Sequence, residues 1–155
     1  MSDLVEIKDH NHQKDKCQSM NWYNHDMAQT RITNSLSNDG RFSVLANSSF
    51  NAATTSQIDL SQFSLKAKDD LKPDVCLYPK KAEAMGGKSN DAQMEPEIPL
   101  LAIEINSPEQ GIDDILAKFE VYFALGIKSC WLVIPSVEVV EVYSQLNQNK
   151  FFSMN

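Results

Sequence analysis

Cysteine and positive charge are both scarce in this chain, and each scarcity removes a class of protein. The three cysteines, Cys17, Cys76 and Cys130, are odd in number and far apart, and no CxxC pair occurs. Neither a disulfide framework nor a cysteine zinc site is suggested. Cys76 and Cys130 lie in apolar runs and read as small buried thiols. Lysine and arginine total 14 against 21 aspartates and glutamates, a formal net charge of -7. That argues against a protein held on nucleic acid mainly by its overall positive field. A nuclease stays open, because divalent metals can offset carboxylates at the contact site. No GxSxG and no plausible Cys–His pairing supports a small-molecule hydrolase. No apolar run approaches membrane-spanning length. The start, "MSDLVEIKDHNHQ", lacks an apolar signal core. These readings predict a soluble cytoplasmic protein with no membrane partner.

What the chain does have is enough apolar residues for a core. Its 155 residues are 42% hydrophobic, which suits one domain. Residues 1–20 read as a flexible polar N-terminal tail, and 21–155 as the single domain. His10 and His12 fall in the tail and have no partner cluster for a metal.

Trp22, Met27 or Ala28, Ile32 and Leu36 recur at near-helical spacing, so a first helix is predicted over 22–37. "NDG" at 38–40 then makes a turn. "RFSVLANSSF" follows as a strand, with Phe42, Val44 and Ala46 alternating. Ile58, Leu60, Phe63 and Leu65 hint at a further strand within 51–70. "LKPDVCLYP" (71–79) is a short strand between Pro73 and Pro79. Residues 80–97 form a long loop, whose Lys80, Lys81 and Lys88 either meet phosphates or simply face solvent.

"PLLAIEINSPEQ" (99–110) reads as a buried central strand that contains a carboxylate, Glu104. A helix follows. Its start is either Ser107, with Pro108 at the first helical position and Gln110 completing a capping box, or a point nearer Asp113. It stops at Gly126. "SCWLVIP" is a second buried strand, "EVVEVYSQ" pairs beside it as a hairpin, and "KFFSMN" adds an edge strand. The order predicts an α/β protein, a mixed sheet with helices packed on it.

Strand side chains alternate faces. Ala102, Glu104 and Asn106 share one face of their strand, and Asp74 shares a face with Cys76 and Tyr78. If the two strands are neighbours with those faces aligned, two carboxylates converge. Each would be pushed toward protonation unless a cation sits between them, and Mg2+ prefers oxygen ligands. A group that orients water or stabilises charge is also needed for hydrolysis. Position 106, two residues after Glu104, is Asn and cannot serve. The helix offers Lys118, with Asp114 one turn before it and Tyr122 one turn after, on a shared face. Tyr122 reads as packing rather than catalytic.

"KPDVCLYP", "LLAIEINSPEQGIDDILAKFEVYFALGIKSCWLVIP" and "VEVVEVY" resemble the Uma-type restriction endonucleases of the PD-(D/E)xK nuclease superfamily. The resemblance covers roughly residues 71–144 and keeps order and spacing. It implies a restriction-endonuclease-like mixed β-sheet flanked by helices. It implies that Asp74 and Glu104 are the acidic metal ligands; the Ile105 carbonyl is expected as an extra ligand beside them. Lys118 matches the lysine moved from strand to helix, and Asp114 the helix acid that orients it. His25 corresponds to a histidine on the family's first helix, although read alone it is a helix-surface or capping residue.

Two functions follow as expectations. One is a Mg2+-dependent (or Mn2+-dependent) endonuclease that hydrolyses DNA phosphodiesters, working as a homodimer. The other is a catalytically inactive nuclease-fold protein used for self-association or partner binding. The second is supported by Asn106 and the negative net charge.

Overall fold

A computed structural model describes residues 24–63, 71–80 and 97–154 of the chain. The tail with His10, His12 and Cys17, together with Trp22, Leu65, Lys81 and Lys88, lies outside the described residues. Residues 24–37 form helix α1. Strand β1 (Phe42–Ala46) follows, then a single helical turn, α2 (Ala52–Thr55). Next come β2 (Val75–Pro79), β3 (Leu101–Ile105) and helix α3 (Ile112–Leu125). The chain ends with β4 (Ser129–Ile134), β5 (Val139–Gln145) and β6 (Gln148–Ser153).

The six strands lie side by side in chain order. Every neighbouring pair is antiparallel except β3 and β4. A parallel pair cannot be closed by a tight hairpin and needs a crossover, which α3 supplies. The result is a mixed sheet flanked by helices.

Alternation sorts the core into two layers. Val75, Leu77, Leu101, Ile103, Ile105 and Val133 pack with Ala28 of α1, and Ile32 and Leu36 join them at four-residue spacing. Cys76, Ala102, Cys130 and Leu132 pack instead with Ile115, Phe119 and Tyr122 of α3. All five residues of β3 are buried, as expected of a central strand covered on both faces.

Two local expectations give way. The capping box at Ser107 does not start the helix. Gln110 N–H donates to Ser107 O, closing an isolated turn, and the Asn106 amide donates to Gln110 O at 2.9 Å. Gly111 is the N-cap, and Asp113 and Asp114 occupy the first helical turn, where their charge suits the helix dipole. The start is therefore the later of the two readings. At the other end Gly126 adopts φ 101° and caps the helix as predicted.

The strand expected within 51–70 is not found among the described residues. Asn51 caps α2 through Thr54 N–H, and Asp59 caps a 3-10 turn at Leu60–Gln62 through Ser61 N–H. Short side chains that bond their own backbone favour turns over a sheet ladder. Ile58, Leu60 and Phe63 still serve the core, packed against the α3 layer.

Candidate active site

Asp74 stands at the bend that opens β2, and Glu104 is the fourth residue of β3. The β2–β3 ladder pairs Val75 with Ile103, Cys76 with Ala102 and Leu77 with Leu101. One step beyond the Val75–Ile103 pair, the same register sets Asp74 opposite Glu104. The convergence of strands expected from alternation is therefore present.

Asp74 takes over where the ladder stops. Its Oδ2 accepts a hydrogen bond from Ile105 N–H at 2.7 Å, in place of a backbone carbonyl. Its own carbonyl is gripped twice, by Asn47 N–H at 3.1 Å and by the Gln29 amide of α1 at 2.9 Å. Gln29 also donates to Asn47 Oδ1 at 2.9 Å. Asn47 holds a left-handed φ of 51°, a conformation that asparagine tolerates better than most residues. His25 Nε2 lies 3.5 Å from Asp74 Oδ2, and His25 Nδ1 lies 3.5 Å from Asp26 Oδ1 without a hydrogen bond. The Asp74 carboxylate, aided by that of Asp26, raises the imidazole above its ordinary pKa, against the opposing effect of burial.

Glu104 is only 2% exposed and points into the α3 layer. Tyr122 O–H donates to its Oε1 at 2.6 Å, and Lys118 Nζ lies 3.6 Å from its Oε2. Burial dominates the charge balance and pushes the Glu104 carboxyl from 4.5 up to about 7. Lys118 and Tyr122 oppose that shift, while the Asp74 charge adds to it. One amine does not offset the desolvation.

That deficit is what a hard cation would fill. Asp74 Oδ1 makes no hydrogen bond among the described residues, and its side chain keeps 17% of its surface exposed. No cluster of three or more His, Cys, Asp or Glu able to hold a metal occurs among the described residues. Mg2+ does not require one, since it commonly binds through one or two carboxylates and keeps several waters. Two carboxylates, with the Ile105 carbonyl as a backbone oxygen, are a donor set of the right chemistry.

The remaining expected residues divide. Lys118 leans onto Glu104, its side chain 12% exposed. Asp114 is exposed, and no ion pair joins it to Lys118. Four partners are added to the picture read from the sequence: Gln29, Asn47, Asn106 and Tyr122. Tyr122 and Asn106 carried a signal, the first one turn beyond Lys118 and the second two residues after Glu104, whereas Gln29 and Asn47 carried none.

These features sit on a chain that matches the Uma2 family, described as "Putative restriction endonuclease", over residues 6–151. The chain belongs to that family. The match extends well beyond the 71–144 span whose motifs carry the resemblance. Among solved structures, the chain is similar to a putative nuclease belonging to DUF820 from Anabaena variabilis. The identity is 17% and the TM-score 0.54, over 84% of this chain and 67% of that one. At that identity the likeness establishes the fold. No curated protein matches. Among the described residues, no helix is long and apolar enough to cross a membrane.

Proposed function

We propose that the chain is a divalent-metal-dependent endonuclease that hydrolyses DNA phosphodiester bonds. The observation that carries this reading is the facing placement of Asp74 and Glu104 on neighbouring strands, with the Lys118 amine 3.6 Å from Glu104. Membership of the Uma2 family supports it.

In this reading Asp74, Glu104 and the Ile105 carbonyl hold Mg2+ or Mn2+. The ion supplies positive charge for the phosphate and a more acidic bound water. The chain itself provides rigidity and a fixed cation. Asp74 is held by Ile105 N–H on its side chain, and by Gln29 and Asn47 on its carbonyl. Lys118 carries an ammonium group at the rim of the α3 layer, where it donates to a phosphate oxygen or orients the attacking water. Asp114, exposed while Lys118 pairs with Glu104, is given no role in this reading. Cutting both strands of a duplex favours a two-fold pair of chains, which sedimentation on the DNA-bound protein would reveal.

The test is nicking of supercoiled plasmid in Mn2+. The wild type converts it to open circles, EDTA stops the conversion, and Asp74→Ala and Glu104→Ala are both inactive. Activity that survives both substitutions refutes the assignment. Calorimetry showing no Mn2+ binding at millimolar concentration would favour the inactive, partner-binding alternative.

A further inference from the structure

A buried tyrosine must find a partner for its hydroxyl, and backbone carbonyls are the common choice. Tyr122 has instead been given a buried carboxylate. Its side chain is fully buried, and O–H to Glu104 Oε1 is 2.6 Å, the short distance of a charge-assisted bond. The ring has little room to swing. Phe50 meets it edge-on with centroids 5.5 Å apart at 86°, and Phe119 lies tilted against it at 6.2 Å.

Lys118 and Tyr122 stand one turn apart on α3 and address different oxygens of the same group, Oε2 and Oε1. A free carboxylate rotates about its last bond. One hydrogen bond and one ion pair from a single helix restrict that freedom.

We propose that Tyr122 is a positioning residue: its hydroxyl fixes the rotation of the Glu104 carboxylate, so that Oε2 is presented toward Lys118 and the cation site. The inference rests on the metal-dependent reading above. Glu104 remains the ligand, and Tyr122 acts only through it. Removing an outer partner of a metal ligand typically weakens metal binding by roughly 10–100-fold.

The experiment is calorimetric titration of the full chain with Mn2+, comparing wild type, Tyr122→Phe and Leu60→Ala. Tyr122→Phe keeps the ring and its packing and deletes only the hydroxyl. Leu60→Ala trims the same core layer from outside α3. The expected result is Mn2+ affinity reduced roughly 10–100-fold in Tyr122→Phe and within about twofold of wild type in Leu60→Ala. Affinity unchanged in Tyr122→Phe, or reduced equally in both variants, overturns the inference and leaves the metal site standing. A wild type that takes up no Mn2+ overturns the metal reading, and this inference with it.

Discussion

Glu104→Gln should make the metal-free protein more stable at neutral pH, and the gain should depend on pH. The folded carboxyl is pushed from 4.5 to about 7, chiefly by burial. At about 1.4 kcal/mol per pH unit, keeping it ionised in the fold costs about 3 kcal/mol. The sign follows from proton counting. Between pH 4.5 and 7 the folded chain binds this proton more tightly than the unfolded chain does. Stability from the neutral carboxyl is therefore complete below pH 4.5 and lost as pH rises through 7. Glutamine mimics the neutral acid, can still accept from Tyr122 O–H, and does not titrate. Urea denaturation in EDTA at pH 5, 6, 7 and 8 would measure both proteins. The stability difference should move by roughly 2–3 kcal/mol in favour of the variant from pH 5 to pH 8, with most of the change complete by pH 7. Other titrating groups, His25 among them, largely cancel in that difference. A difference that is flat across the series would show Glu104 ionised throughout. Lys118 would then outweigh burial, and the deficit that a cation is argued to fill would not exist.

Two further outcomes follow from the same geometry. Lys118→Ala should lose about a hundredfold or more of plasmid nicking, in the range by which general acid–base groups contribute. Asp114→Ala, lacking any bond to Lys118, should stay within about threefold of wild type. A loss in Asp114→Ala as large as in Lys118→Ala would restore the orienting role expected from the sequence. Cys76 is fully buried, and burial pushes its thiol up to about 12, with Cys130 raised as well. In Cys17→Ser, native protein should therefore show almost no reaction with a thiol reagent at pH 8 until denaturant is added. Rapid native labelling of either remaining thiol would refute the burial.

Alternation made the heart of the site legible, because the two acids lie on strands whose period of two assigns a face to each residue. Placing Asp74 and Glu104 together also needed β2 and β3 to be neighbours in an aligned register, and the fold supplies both. The long-range partners were a different matter. Gln29 reaches Asp74 from 45 positions away, and an exposed-looking glutamine on a helix carries no local mark of that bond. The capping box misled for a physical reason: Ser107 and Gln110 do interact, but through the backbone of one turn, with Asn106 holding it shut.

Asn106 has one meaning in the sequence and another in the fold. From the sequence it counted against catalysis, since it sits where a strand lysine would have served. In the fold its amide secures the turn that leads into α3, and α3 delivers Lys118 to Glu104 from the other direction. A lysine at 106 would forfeit that bond to Gln110 O. The asparagine is thus better understood as part of how the amine reaches the acid than as the scar of a lost residue. The metal titration of the wild type distinguishes these, because a decayed site has no reason to keep Glu104 buried and bonded yet still bind a cation.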